Sequence, residues 1–106
     1  MFKFLTFILG VLLSYSLSAG EWSGGGKITK ILTKPSRNGI YFQHEKMIND
    51  GCASSSYYFL DAEQNLFKET YSLLLSAYAS GKSINLLISG CQINHNYPLI
   101  VEVSGS

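Results

Sequence analysis

After residue 20, the chain consists of short runs rich in β-branched and aromatic residues, separated by glycine, proline and asparagine. Such runs predict β-strands, whereas apolar residues three and four positions apart over a longer stretch predict a helix. Asp61 and Gln64 have the spacing of a capping box at the helix start, and Gly81 is placed to end the helix. The predicted strands span residues 27–33, 40–45, 55–60, 83–89 and 98–103, and the predicted helix extends from Ala62 to about Ser80.

The order of these elements, β-β-β-α-β-β, predicts a mainly β fold with one helix. It is the element order of the five-stranded OB-fold barrel, in which the third and fifth strands lie side by side in parallel. The alternative is an open α+β sheet covered by one helix. The chain is long enough for a single small domain, which we predict for residues 21–106.

The N-terminal residues carry the pattern of an export signal. Lys3 precedes the apolar run Phe4–Leu13, and small, weakly polar residues follow over Ser14–Gly20. The apolar run is shorter than the roughly 20 residues that a membrane span needs. We therefore predict a signal peptide at residues 1–20, cleaved after Ala19 or Gly20, and a secreted or periplasmic mature chain without stable membrane insertion. The alternative is a retained N-terminal anchor or a core helix.

Both cysteines, Cys52 and Cys91, follow the predicted leader. An oxidising compartment favours disulfides, and small domains often depend on them. We predict a Cys52–Cys91 disulfide, which would stabilise the fold by about 3–4 kcal/mol in the chain-entropy estimate. The alternative is a catalytic or metal-binding cysteine, but the sequence has no CxxC motif, and neither His44 nor His95 has ligand-like spacing to a cysteine.

The charges of the chain are balanced. Removing Lys3 with the leader leaves seven Lys and Arg residues against seven Asp and Glu residues. Nucleic-acid binding draws on clustered Lys and Arg, so this balance argues against a nucleic-acid partner. The sequence also lacks GxSxG and HExxH motifs and a close pair of carboxylates on one element. We therefore expect a binding module and not an enzyme, with no catalytic residues, metal or cofactor.

The predicted helix is apolar over most of its circumference. A helix of this kind is buried on more than one side, whereas a small monomer offers only one core. We therefore predict a homo-oligomer that uses the helix as its interface; the alternative is a monomer that packs the whole helix into its core. The predicted interface residues are Phe67, Tyr71, Leu74, Leu75 and Tyr78.

Several short matches resemble one family of bacterial toxin subunits. They lie at Glu21–Gly24, Ile28–Thr29, Tyr41–Phe42 with Glu45, Cys52–Ser56 and Tyr71–Gly81. In their order along the chain they resemble the B subunit of subtilase cytotoxin. The resemblance implies an OB-fold that assembles as a pentamer with helices lining the centre, binds sialylated host glycans and has a catalytic A subunit as a possible partner. Ser23 matches a serine that contacts the sugar in that family, and Glu45 resembles its acidic residue after the second strand.

Two regions offer the polar and aromatic groups that a glycan site needs. The first comprises Trp22, Ser23 and Glu45, and the second is a loop containing Asn94, His95, Asn96 and Tyr97. The alternatives are that Trp22 closes one end of the barrel, that Glu45 is a solvated charge, and that the loop residues are ordinary turn formers. The predicted function is a secreted, ring-shaped module for host cell-surface glycans. The alternative is a secreted protein-docking or inhibitor module without sugar binding.

Overall fold

The computed structural model describes residues 20–105. Of the predicted signal peptide only Gly20 is included, so that prediction lies outside the described residues, as does Ser106. The elements in chain order are β1 (Glu21–Trp22), β2 (Ile28–Thr33), a 3₁₀-helix (Pro35–Arg37), β3 (Gly39–His44), β4 (Tyr58–Asp61), α1 (Phe67–Ser80), β5 (Ile84–Cys91) and β6 (Pro98–Gly105). The prediction of a mainly β fold with one α-helix is confirmed.

The strands form one mixed sheet in the order β1-β5-β6-β4-β3-β2. Neighbouring strands are antiparallel except β4 and β6, which are parallel, with Phe59 opposite Leu99. These two strands correspond to the third and fifth predicted strands, for which the parallel pairing was expected. The sheet of the described residues is open, however, so the predicted barrel is not confirmed. The alternative prediction, an open sheet with a covering helix, describes the observed arrangement.

The two edges of the open sheet are joined by the segment between β1 and β2. In β1, Glu21 and Trp22 pair with Ile88 and Leu87 of β5. Gly26 then exchanges two backbone hydrogen bonds with Ile84, of 3.0 and 2.8 Å. Because β2 begins only two residues later, the start of this edge strand is tied to β5 on the opposite side of the sheet.

The core lies between α1 and one face of the sheet. Successive residues of a strand point to opposite faces, so Phe42, Tyr58 and Leu60 face the helix, whereas Tyr41 and Phe59 face away from it. On the helix, Leu74 and Ala77 are buried against this face. The remaining buried members of the core are Ile28, Ile84, Leu86, Ile88 and Ile100.

The helix begins at Phe67, five residues later than predicted. Asp61 does not cap it: its side chain accepts a hydrogen bond from the Glu63 amide at 3.0 Å, and its carbonyl accepts one from the Gln64 amide at 3.1 Å. These bonds form a turn at the end of β4. Leu66 then adopts a left-handed backbone (φ 60°), which a right-handed helix cannot include. The capping-box prediction is therefore wrong, whereas the predicted end at Gly81 (φ 67°) is confirmed.

All five predicted strands have at least one end that differs from the prediction by one to three residues. The third predicted strand begins at Tyr58 instead of Ser55, because the preceding residues belong to a loop in which the Ser54 amide donates to the Asn96 carbonyl at 3.2 Å. The fourth extends to Cys91 through two irregularities in its pairing with β6. The predicted Cys52–Cys91 disulfide is confirmed and joins the loop before β4 to the end of β5. No helix among residues 20–105 has the length and apolarity needed to cross a membrane.

Candidate functional site

A cleft of about 480 Å³ opens between the 3₁₀-helix and the loop that follows β5. It lies beside the sheet face that points away from α1, because Phe59 of β4 and Leu99 of β6 contribute to its lining. Polar and charged side chains surround this apolar base. The complete lining consists of Ser36, Arg37, Asn38, Phe59, Asp61, Glu63, Cys91, Gln92, Ile93, Asn94, His95 and Leu99.

The loop beside the cleft is closed by its own hydrogen bonds. The Gln92 amide donates to the Tyr97 carbonyl at 2.7 Å, and the Asn96 amide donates to the Gln92 carbonyl at 2.9 Å. Asn94 and Asn96 both have positive φ values, 78° and 61°, a conformation that asparagine tolerates better than most residues. Asn94 and Asn96 therefore shape the loop, and Asn94 and His95 form part of the cleft wall.

The loop that precedes β4 anchors the end of β5 and the loop that follows it. Besides the disulfide, Asp50 Oδ2 accepts a hydrogen bond from the Gly90 amide at 3.0 Å. Asn96 Oδ1 accepts one from the Ala53 amide at 2.6 Å. The predicted ligand residue Asn96 therefore uses its side-chain oxygen for loop structure and is not part of the cleft lining.

A buried hydrogen-bond network holds Arg37 at the cleft. Arg37 Nη1 donates to the Tyr41 hydroxyl at 2.7 Å, and Gln92 Nε2 donates to the same oxygen at 3.0 Å. Tyr41 and Gln92 are only 1% and 7% exposed, so their polar atoms depend on each other for hydrogen bonds. The network fixes the guanidinium of Arg37 relative to the loop that contains Gln92.

Tyr97 belongs to an aromatic cluster under this network. Its ring lies 5.2 Å from that of Tyr41 and 6.2 Å from that of Tyr57, both in edge-to-face geometry. The ring centre of Phe59 lies 4.8 Å from that of Tyr41, and Phe59 is 3% exposed. The predicted ligand residue Tyr97 therefore packs against its neighbours outside the cleft, and Phe59 forms the base of the cleft instead of an open stacking face.

Two carboxylates form the wall opposite the loop. Glu63 Oε2 accepts a hydrogen bond from Asn38 Nδ2 at 3.1 Å, and Asp61 Oδ1 accepts one from the Glu63 amide at 3.0 Å. Within residues 20–105, neither carboxylate forms an ion pair with Arg37. The cleft therefore contains charges of both signs that face the same space without neutralising each other.

Ile93 stands at the mouth of the cleft and is 82% exposed, the largest value among the exposed large hydrophobic side chains of the described residues. An isolated exposed isoleucine needs no explanation by itself, but here it borders a polar cleft with an apolar base. It supplies the accessible apolar surface that the buried ring of Phe59 does not.

The other predicted site lies in what we call the N-terminal corner, residues 20–28 together with the turn at residues 45–48. Ser23 Oγ accepts a hydrogen bond from the Leu86 amide at 3.2 Å and donates to the Gly24 carbonyl at 2.9 Å. Glu45 Oε1 accepts from the Lys27 amide at 2.9 Å. Trp22 is 43% exposed on the edge strand β1. The polar atoms of Ser23 and Glu45 thus hold the segment onto the sheet.

Buried polar groups of β3 and β4 complete this corner. His44, 3% exposed, accepts from the Lys46 amide at Nδ1 (3.0 Å) and contacts the Ile84 carbonyl through Nε2 at 3.0 Å. The Tyr58 hydroxyl accepts from the Ile48 amide at 2.8 Å and donates to the Lys46 carbonyl at 2.7 Å. Burial is the main reason why the pKa of Tyr58 is raised above its usual value.

The five predicted interface residues of α1 have different environments. Leu74 is fully buried in the core of the chain and presents no surface to a partner. Phe67 and Tyr71 are half-buried against that core. Only Leu75 and Tyr78, 43% and 44% exposed, offer substantial apolar surface.

Sequence reasoning missed most of the cleft. Arg37 and Asn38 were not among the predicted site residues, and Asp61 was predicted only to cap the helix. Glu63 was not a candidate, and Gln92 and Ile93 belong to the candidate loop but were not predicted ligand residues, although an isoleucine within an otherwise polar loop was a usable signal. Comparison with known protein families and with curated proteins finds no match to the chain.

Proposed function

We propose that the chain is a secreted, toxin-B-subunit-like module that binds host cell-surface glycans in the cleft between the 3₁₀-helix and the loop after β5. The observation that carries the proposal is the combination of planar polar side chains with an apolar base and rim. Arg37, Asn38 and Asn94 can donate hydrogen bonds to hydroxyl groups, and Asp61 and Glu63 can accept them. A volume of about 480 Å³ falls in the usual range of small-molecule sites.

The fold and the resemblance support the same function. We propose that the sheet is a partly open OB-like barrel, since β4 and β6 pair in parallel and Gly26, two residues before edge strand β2, bonds to Ile84 of β5 on the opposite side of the sheet. In such folds, loops at one end of the barrel commonly bind oligosaccharides. The resemblance to the subtilase cytotoxin B subunit also implies host glycans as ligands, sialylated ones in that family, and a possible catalytic A subunit as partner.

The glycan proposal is tested with the purified, disulfide-bonded protein on a glycan array, followed by NMR titration with each sugar that binds. A cleft variant, Asn94→Gly with His95→Ala, removes two side chains while glycine keeps the left-handed backbone at position 94. Trp22→Ala is the matched variant in the N-terminal corner. We expect the cleft variant to lose binding and Trp22→Ala to retain it.

The opposite pattern would place the ligand at the N-terminal corner and overturn the cleft assignment. Binding of no sugar on the array or in titration would overturn the glycan proposal itself. Each variant is checked by its amide spectrum, since a change confined to residues near the substitution excludes misfolding as the cause.

We also propose a ring-shaped homo-oligomer, as the resemblance implies, with Leu75 and Tyr78 of α1 in its interface. Apolar side chains exposed side by side on one helix favour association. Light scattering of the protein should give a mass of several chains. Leu75→Glu should reduce it to a monomer, whereas Ser76→Glu, on the solvent-facing side of α1, should leave it unchanged. A monomeric parent protein would contradict the assembly.

One observation favours the alternative, a protein-docking module. Leu66 and Leu73 are 67% and 57% exposed and border a groove between α1 and β6, next to Val101 and Val103. Stable capture of a protein chain, lost in Leu73→Asp, together with the absence of sugar binding, would favour docking over glycan recognition.

A further inference from the structure

The charges in the cleft are unequal. Asp61 and Glu63 contribute two carboxylates, whereas Arg37 contributes one guanidinium, and His95 is the remaining titratable side chain in the lining. With a neutral histidine, the lining therefore has one excess negative charge. A partner with a negative charge of its own would meet like charges at the carboxylate wall.

The hydrogen bonds within the protein leave acceptors available on both carboxylates. Asp61 uses Oδ1 for the Glu63 amide, and Glu63 uses Oε2 for the Asn38 side chain. Among the described residues, the second oxygen of each group has no protein partner. Because an ionised carboxylate only accepts hydrogen bonds, a ligand must offer donors at this wall.

The single cation is less available than the carboxylates. Arg37 donates from Nη1 to the buried Tyr41 hydroxyl, and its guanidinium carbon lies 5.9 Å from the centre of the Tyr41 ring. One side of the guanidinium is therefore committed to the network behind the cleft. It can still donate to a neutral oxygen, but its position is set by Tyr41 and Gln92 instead of by an incoming anion.

We infer that the cleft selects uncharged pyranoses, whose adjacent hydroxyl groups donate hydrogen bonds to Asp61 and Glu63, and rejects carboxylated sugars. This inference rests on the proposed function, since it specifies the ligand class of the same cleft. It departs from the sialylated glycans that the resemblance implies, because sialic acid carries a carboxylate. The apolar face of the sugar ring lies against Ile93 and Leu99, which border the same space.

The test compares neutral sugars with their uronic acids, in which a carboxylate replaces the hydroxymethyl group at C6. Methyl glycosides of galactose, glucose and mannose are each titrated beside the corresponding uronic acid at pH 7, and a sialic acid glycoside is included. The chemical shifts of the Asn94 and His95 amides report binding in the cleft. We expect at least one neutral sugar to bind about tenfold or more tightly than its uronic acid, because like charges disfavour the acid.

Two double variants connect this preference to the carboxylates. In Asp61→Asn with Glu63→Gln, each amide oxygen can keep the internal hydrogen bond while the charge is removed. The neutral sugar should then bind several-fold more weakly, and the ratio between the two sugars should fall to about threefold or less, because charged acceptors form stronger hydrogen bonds. The control, Glu69→Gln with Glu102→Gln, removes the same amount of charge at exposed positions outside the cleft lining. It should change neither the affinity for the neutral sugar nor the ratio between the two sugars.

The outcomes separate this inference from the proposed function. If a uronic or sialic acid binds the cleft more tightly than the neutral sugars, glycan binding stands and the inference is wrong. If the neutral preference persists in Asp61→Asn with Glu63→Gln, the assignment to these carboxylates is wrong. If no sugar binds, the proposed function fails and the inference fails with it.

Discussion

The N-terminal corner and the cleft contain similar residue types but differ in how their polar atoms are used. In the corner, Ser23, Glu45 and Tyr58 bond to backbone groups of neighbouring segments. In the cleft, Asp61 and Glu63 each use only one oxygen within the described part of the protein. The hydroxyls of Ser23 and Tyr58 are therefore fully used within the protein, whereas the two cleft carboxylates each retain an acceptor that is free among residues 20–105. The exposed Glu45 likewise keeps one oxygen without a partner among these residues.

Residue type alone therefore does not distinguish the two regions, whereas the hydroxyls of the corner differ from the carboxylates of the cleft because they both donate and accept within the protein. No buried side-chain nitrogen or oxygen of the described residues lacks a partner. Removing a polar group in the corner leaves such a partner unsatisfied, which costs stability. Removing one in the cleft should cost mainly affinity.

The largest effect is expected from the disulfide, because Cys52 and Cys91 link the loop before β4 to the cleft. Replacing both by alanine should lower the free energy of unfolding by about 3–4 kcal/mol in the chain-entropy estimate, given the separation of 39 residues. Urea unfolding measures this loss. Sugar affinity should also fall in the folded fraction, because the loop loses one of its anchors. Full stability in the reduced parent protein would contradict the expectation.

Tyr58→Phe should give the next largest loss. The substitution leaves the Ile48 amide and the Lys46 carbonyl without their partner, which costs about 1–3 kcal/mol of unfolding free energy for a buried group. Sugar affinity should not change, since Tyr58 lies on the helix side of the sheet. Urea unfolding and titration of the same samples check both statements. Gln43→Ala, on a half-exposed side chain of β3, is the comparison for stability.

The pH dependence of this variant provides an independent check. Burial raises the pKa of Tyr58 in the folded state above its usual value of 10.0. Because the folded-state pKa is raised, the folded protein keeps the Tyr58 proton to a higher pH than the unfolded chain does. The stabilising contribution of Tyr58 is therefore complete below pH about 10 and is lost as the pH rises through the folded-state pKa. The difference in unfolding free energy between parent and Tyr58→Phe should therefore narrow in alkaline solution. A constant difference up to pH 11 would contradict it.

The features that the sequence predicted correctly depend on a few neighbouring residues or have only one possible outcome. Gly81 ends the helix because its left-handed backbone favours glycine, and two cysteines allow only one intramolecular disulfide. The start of the helix was not predictable in this way. Asp61 is a good capping residue, but its side chain is used in the turn after β4, and Leu66 supplies a left-handed residue that no propensity scale favours.

The cleft escaped prediction because its walls are distant in sequence. Arg37 and Gln92 meet only through Tyr41, and that contact depends on the placement of the loop after β5 beside the 3₁₀-helix. Likewise, β1 has only two residues and owes its strand structure to pairing with β5. No local pattern reports either arrangement. For Ser23, the resemblance implied a ligand contact, whereas the structure shows two internal hydrogen bonds of its hydroxyl.

Ser23→Ala therefore sharpens the contrast between the two regions. Losing the hydrogen bond from the Leu86 amide should lower the free energy of unfolding by about 1 kcal/mol, because the backbone bond between the same residues remains at 2.8 Å. Sugar affinity should stay at the parent value. Ser72→Ala, on the exposed side of α1, serves as the control and should not destabilise the protein. Lost affinity at unchanged stability would instead assign a ligand contact to Ser23.

Ile93→Ser should have the smallest effect on stability and the opposite effect on binding. The side chain is 82% exposed, so its replacement should change the free energy of unfolding by no more than about 0.5 kcal/mol. Affinity for a neutral sugar should fall several-fold, since the ring loses the apolar rim of the cleft. Leu66→Asn is the control, because Leu66 is also highly exposed and asparagine tolerates its left-handed backbone. This variant should bind the sugar with unchanged affinity. If the Ile93 variant binds the sugar as tightly as the parent protein, Ile93 is not part of the binding site.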